Sequence, residues 1–493
     1  MPKISWMKCG FCLSSIFFLV SIAILFDCSA SSATTAYGWA RGWYGQLGPM
    51  GSEKTFSPVT IPLPQDIISI KVGSTFGLAL DACGRVWAWG RGVTGVTGRE
   101  SPPANREENY PEPSIVPGLP EDIVEIAAGE EVAFALSKDG TVWTWGGSNT
   151  FGDQGYGNSV QSSVPPKKVP GLANIIRISA VSYHGLALRS DGTVWAWGHN
   201  SFGECGVDPE AQSSHITPRQ VQGLSNIIAI ETGYSTSFAL RVDGVMFGWG
   251  ADVSPVTYQY DPLALSGETP MAQLWAASFN GYAEDIYGQL WSIGQHGGGC
   301  LNANPQCEST KTLQRATKVP SARIMEAGHD VAIFCTPQGT LKALGSNYYG
   351  GLALEDPYAQ AWDPIDIPNI SNVFDVDVNE DTVMVLTGAK CHAQLESGLS
   401  TLFVPKVNVL GRAYSLKFVS WPMEGYSLGF KLVSAVEVPV GACGQEATLL
   451  NLGGEVLLHL PWIEFDGRYF WANMRIIPSG DGIYGIMVGA GEL

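Results

Sequence analysis

Short runs in which apolar and polar residues alternate recur along most of the chain. The clearest are Ile67–Leu80, Ile123–Leu136, Ile175–Leu188 and Ile227–Leu240, with weaker versions at Gln273–Ile286, Arg323–Cys335 and Val373–Leu386. Alternation of this kind predicts strands with one face buried. A tight turn and a short aromatic strand follow each clear run, as in Asp139-Gly140-Thr141-Val142-Trp143-Thr144-Trp145. Asp-Gly suits a hairpin in which both central residues take positive φ. Trp143 and Trp145 lie two apart and share a face, as do Trp87 with Trp89 and Trp195 with Trp197. Such pairs predict a packing layer between neighbouring units rather than a ligand box.

The second aromatic of each strand sets the period. Its series is Trp39, Trp89, Trp145, Trp197, Trp249, Ile293 and Leu344, in steps of 50, 56, 52, 52, 44 and 51 residues. A period near fifty made only of strands and turns predicts a propeller or a solenoid. Seven aromatic strands and seven apolar runs are joined by six hairpin glycines: Gly84, Gly140, Gly192, Gly244, Gly288 and Gly339. The aromatic strand without a partner, Tyr37–Trp39, begins the array, and the apolar run without one, Val373–Leu386, ends it. Joined, they complete one unit and hide two open sheet edges. The expected fold is all-β: a seven-bladed β-propeller over residues 37–388, closed by its N-terminal strand.

The repeat, apolar-x-x-apolar and then A-L-x-x-D-G-x-V-W-x-W-G-x-N-x-x-G-x-x-G, resembles the regulator of chromosome condensation repeat. His199–Gly206 and Tyr44–Gly48 match its glycine-rich tail. The likeness covers Tyr37–Gly388 and is sharpest in blades one to four. In blades five to seven, Trp249-Gly250 loses the tail, Ile293 and Leu344 replace tryptophan, and Lys342 replaces the other aromatic. The histidine characteristic of the family survives only as His184. The resemblance implies a protein-binding propeller. Secreted relatives include inhibitors of β-lactamases that use a propeller face, whereas the eukaryotic namesake and some bacterial effectors are exchange factors for small GTPases.

Beyond Gly388 the tryptophan-glycine pattern stops, and residues 389–493 carry a different duplication, offset by 56 residues. Leu402-x-x-Pro405-x-Val407-x-Val409-x-Gly411-x-x-Tyr414 matches Leu458-x-x-Pro461-x-Ile463-x-Phe465-x-Gly467-x-x-Phe470. Alternation around both glycines predicts two antiparallel hairpins in a small β-sandwich, serving as a tether or as a cap on the propeller.

Charge and the termini narrow the function. With 28 basic and 46 acidic residues the formal charge is −18, which repels nucleic acid and anionic lipid. Residues 1–36 read as a secretory signal: Lys3 and Lys8, an apolar run at Phe11–Phe26, then Ser29-Ala30-Ser31-Ser32-Ala33. Cleavage is expected after Ala30, Ala33 or Ala36, leaving an exported chain without a membrane span. An uncleaved anchor and lipidation at Cys28 are the alternatives. Seven cysteines follow this segment. Cys300 and Cys307 bracket a polar loop and form the best local disulfide candidate, and the spacing fits no zinc site.

No catalytic constellation emerges. The seven histidines are scattered, with His184 read as a core residue and His199 as a turn residue. Asp375, Asp377, Glu380 and Asp381 cluster near the end of the array; alternating acids on a solvated strand are the simpler reading, calcium the sharper one. No cofactor is expected. What remains is loop surface, where tyrosine and tryptophan build recognition sites. Tyr44, Phe151, Phe202 and Tyr349 recur before glycine and are expected to pack between blades. Tyr110, Tyr258, Tyr260, Tyr348 and Trp362 follow no repeat and are the expected partner-binding residues. The sequence favours an exported, non-catalytic protein-binding scaffold, an inhibitor or adaptor, over an exchange factor or a central-channel enzyme.

Overall fold

The computed structural model describes residues 33–492, apart from 100–108, 158–163, 254–257, 295–309, 389–392, 396–400, 421–428, 439–446 and breaks of one or two residues. Seven four-stranded antiparallel sheets form the array. Blade two shows the plan: an inner strand Ile67–Val72, a second strand Phe76–Asp81, a third Val86–Arg91 and an outer Asn109–Ile115. Each long apolar run is therefore two strands and not one; in blade two the chain reverses at Gly73–Thr75. The outer strand itself carries prolines, Pro111 and Pro113. An outer strand is a sheet edge, and there proline forfeits no ladder bond.

Blade one takes its third and outer strands, Thr35–Arg41 and Lys54–Ile61, from the start of the array, and its inner and second strands, Val373–Asn379 and Thr382–Thr387, from the end. Thr35 pairs with Thr387 and Trp39 with Val383. The shared strand thus begins two residues before the expected domain start at Tyr37. The inner strand of blade one contacts those of blades two and seven.

Both tryptophans of the repeat are structural. Trp39, Trp89, Trp145, Trp197 and Trp249 are fully buried. Each donates its indole N–H to a turn carbonyl of the preceding blade: Gly351, Gln46, Val96, Asp153 and Glu204, at 2.6–3.1 Å. In blades two and four a glycine faces the ring; a Cβ on Gly77 would lie 2.3 Å from Trp89, and one on Gly185 2.9 Å from Trp197. The first tryptophan of the pair bonds its own hairpin, as Trp87 to Asp81 (3.0 Å) and Trp143 to Ser137 (2.9 Å). In those hairpins only the glycine has positive φ, +82° at Gly140. Gly140 N–H bonds the Ser137 carbonyl and Asp139 Oδ1 accepts from Thr141 N–H. Asp139 thus caps the turn by its side chain, in place of the expected left-handed conformation.

The inner strands are also edges, and neighbouring blades cap them. Asp375 accepts from Ile70 N–H (2.9 Å) and Asp377 from Val72 N–H (2.6 Å). Glu125 does the same for Ile178 (3.0 Å), and the Ser179 hydroxyl for Thr232 (3.0 Å). Asp375 and Asp377 are thus not on a solvated strand; they satisfy edge amides of blade two. Glu380 and Asp381 lie outside the described residues.

The C-terminal domain is one eight-stranded sheet, not a sandwich. Its short first strand, Ala393–Leu395, pairs with Thr401–Val409 and also, in parallel, with Glu455–Phe465, so the sheet curls back on itself. The duplication is visible in the register. Bulges fall at Val404/Val407 and Lys417/Phe418, and again 56 residues later at Leu460/Ile463 and Asn473/Met474. This domain packs on the hairpin end of blades five and six. Leu450 and Leu457 join Ala272 and Ile286 in one buried cluster. Asn473 donates to the Ile286 carbonyl (2.7 Å), and Asn451 N–H to that of Val242 (2.7 Å). Among the described residues no helix is long and apolar enough to cross a membrane.

Candidate protein-binding surface

The end of the propeller opposite those hairpins carries the turns from third to outer strand. Where blades seven and one meet, these turns bring aromatic rings and two cations together. Trp43 and Tyr348 are 45% and 52% exposed. Tyr349 lies edge-on to both, with ring centroids 6.5 Å from Trp43 and 4.7 Å from Tyr348. The Arg41 guanidinium sits 4.3 Å over the Trp43 ring. Lys54 Nζ lies 4.8 Å from Tyr348, 5.3 Å from Tyr349 and 5.1 Å from Phe56, and donates to the Tyr348 carbonyl. Cation–π contacts of this kind hold the long side chains flat against the rings. The same connection carries Tyr358, 80% exposed, and leads to Trp362.

Of the five aromatics expected to bind a partner, this surface contains Tyr348, with Trp362 on the strand beyond. Tyr110 lies in the outer strand of blade two, half-buried, with Arg99 4.5 Å over its ring. Tyr258 enters the outer strand of blade five opposite Ala251. Tyr260 packs on Gly203 of blade four, as Pro111 packs on Gly45 and Ile216 on Gly152. Register places Tyr260, Trp362, Phe56, Pro111 and Ile216 at one repeat position, each following the partner of the residue after the buried aromatic. Two of the five therefore do recur. The recurrence is hidden in the sequence because the half-exposed outer strand lacks strong apolar alternation. Trp43, not among the expected binding residues, is the one tryptophan of blade one outside the buried series. Cys300 and Cys307 lie outside the described residues; Cys83 is disulfide-bonded, and Cys205 and Cys335 are buried thiols.

Other polar clusters have internal roles. Asp66, Asp81 and Cys83 bring ligand atoms within 4.8 Å, but the Cys83 sulfur is committed to its disulfide and Asp81 to its own hairpin. In the channel Lys71 pairs with Asp377 (2.7 Å) and Arg177 with Glu125 (3.2 Å). Burial pushes Glu231 up to about 7, against the pull of Lys71 and Arg177. His184 is a core residue as expected, bonded to Ser237 Oγ at 3.0 Å and held down at about 4 by burial. His199 bonds the Glu204 carboxylate rather than local backbone, its ring 4.7 Å from Phe151.

The fold is a β-propeller built from repeated four-stranded blades. Residues 83–136, 139–188 and 191–240 match the regulator of chromosome condensation (RCC1) repeat, and a second description of that repeat matches 123–153 and 175–204. The chain carries RCC1 repeats. It is 32% identical over 223 residues to the human E3 ubiquitin-protein ligase HERC2, covering 42% of this chain and 4% of that one. It is 27% identical over 226 residues to the ultraviolet-B receptor UVR8 of Arabidopsis thaliana, covering 45% of this chain and 50% of the receptor. The chain thus spans at most about half of these relatives, and only its repeats match the ligases. Yeast RCC1 (Prp20), solved bound to Kap60, shares the fold at TM-score 0.63 and 23% identity, over 73% of this chain and 89% of that one.

Proposed function

We propose that this protein is an exported, non-catalytic scaffold that binds a protein partner at the blade one–seven surface. The carrying observation is the group of exposed rings, Trp43, Tyr348 and Tyr358, braced by Arg41 and Lys54 on an acidic chain. Large rigid aromatics beside arginine are what interface hot spots are made of. The C-terminal domain packs at the opposite end of the blades, which leaves this end for a partner. Prp20, which shares the fold, was solved with a protein partner bound.

Export rests on the leader and is supported by the Cys83 disulfide, since disulfides persist in oxidising compartments. Cleavage after Ala30 or Ala33 leaves the shared strand whole. Cleavage after Ala36 would remove Thr35 and Ala36, which pair with Thr387 and Leu386. N-terminal sequencing of secreted protein is expected to give a start at or before Thr34; a start at Tyr37 contradicts this.

Mature protein and the Trp43→Ala/Tyr348→Ala variant, both immobilised, test the binding site against envelope and secreted fractions. Saturable retention of one protein by the former, lowered at least tenfold in the variant at unchanged Tm, is expected. Equal retention by both sinks the assignment.

A further inference from the structure

The outer strands differ at one position where proline removes an outward-pointing edge donor. In each blade one outer-strand residue pairs with the residue between the two aromatic positions of the third strand: Val59, Ser114, Lys167, Arg219, Leu263, Gln314 and Ile365. The residue before it is Pro58, Pro113, Pro166, Pro218, Pro262, Leu313 and Pro364 in blades one to seven. Six are proline, and blade six alone has leucine. In blade six the Ala316 N–H bonds inward to the Leu290 carbonyl (2.8 Å), as the Val116 N–H does to Val86 in blade two. Strand alternation then turns the amides of Leu313 and Arg315 outward, away from the sheet. Proline at that site removes the outward donor, a common way of blunting an edge. The outer strand of blade six, Thr310–Arg315, is terminal in its sheet, contains no proline and keeps the donor.

We infer that this edge accepts an extended segment of a partner protein, carrying acidic side chains, as an added strand. Strand addition uses main-chain hydrogen bonds for affinity and flanking side chains for choice. The choice here is one of charge: Thr310–Arg315 (TKTLQR) holds two basic residues and no acidic one, on a chain of formal charge −18. The same charges disfavour a second copy. Antiparallel self-pairing about Leu313 would set Lys311 opposite the copy's Arg315, and like charges across a ladder repel. Basic residues also guard edges against aggregation, so charge in place of proline leaves this edge closed to its own kind and open to an acidic strand.

The test is fluorescence anisotropy with a labelled octapeptide of alternating glutamate and valine, and a control in which lysine replaces glutamate. The acidic peptide is expected to bind the mature protein, with slowed exchange of the Leu313 and Arg315 amides. Leu313→Pro is expected to weaken it at least tenfold at nearly unchanged Tm, because six sister blades carry that proline. Lys311→Glu/Arg315→Glu keeps the amides and is expected to lose binding through charge; Trp43→Ala/Tyr348→Ala is expected to leave it intact. No binding to mature protein, equal binding by Leu313→Pro, equal binding of the lysine peptide, or a dimer that Leu313→Pro abolishes would each overturn the inference.

Discussion

At the scale of single residues, equivalent positions in different blades act as one another's controls. Gln46 of blade one reaches the Ser74 carbonyl and accepts from Tyr44 N–H; Glu204 of blade four accepts from Phe202 N–H. Asp153, the equivalent in blade three, is one methylene shorter and fully buried, with both carboxylate oxygens unpaired. Burial pushes it up to about 8. The folded state therefore holds a proton that the unfolded chain releases near 3.8, so stability falls as pH rises from there through about 8. Asp153→Gln, copying blade one, is expected to stabilise at pH 7 by about 1–3 kcal/mol, read by urea denaturation. His184 runs the other way. Its value of about 4 means a contribution complete above pH 6.5 and lost as pH falls toward 4, on the order of 3 kcal/mol. His184→Phe, with Phe76 as its precedent in blade two, is expected to flatten that part of the profile. The hydrophobic pattern marks His184 as core, but nothing in the sequence distinguishes Asp153 from Gln46 and Glu204, whose longer side chains reach partners that Asp153 does not.

At the scale of elements, the inner three strands were legible because their apolar alternation is strong and their aromatics recur. The outer strand was not, because it is half-exposed and carries prolines that usually signal loops. In this fold they signal edges. The tryptophan strands bind blades together through one indole hydrogen bond each, which alternation alone does not reveal. Trp197→Ala is therefore expected to cost about 3–5 kcal/mol, more than a surface tryptophan such as Trp362. Gly77→Ala, whose new Cβ would meet Trp89 at 2.3 Å, is expected to cost about 1–3 kcal/mol through overpacking. Thermal denaturation of the two variants beside Trp362→Ala checks the ordering; equal losses would contradict it.

For the whole molecule, the count of strands against hairpin glycines revealed that the two ends of the array share a blade. It could not reveal where the C-terminal domain docks. That depends on Ile286 and Tyr287, which stand in the blade-six hairpin where blade three has Lys138 and Asp139. Tyr287 meets Trp471 edge-on with centroids 6.0 Å apart. Tyr287→Asp is expected to loosen the domain, seen as faster proteolysis within residues 393–492 with the propeller intact. The proposed binding surface was the least legible feature, since Trp43 and Tyr348 lie 305 residues apart and come against the same ring, Tyr349, only through the shared blade. Partner recognition is proposed to occur there. Hydrogen–deuterium exchange of the mature protein with its captured partner tests it most directly. Protection is expected over Arg41–Met50 and Asn347–Trp362. Protection confined to the C-terminal domain, or to the hairpin end of the blades, would contradict the claim.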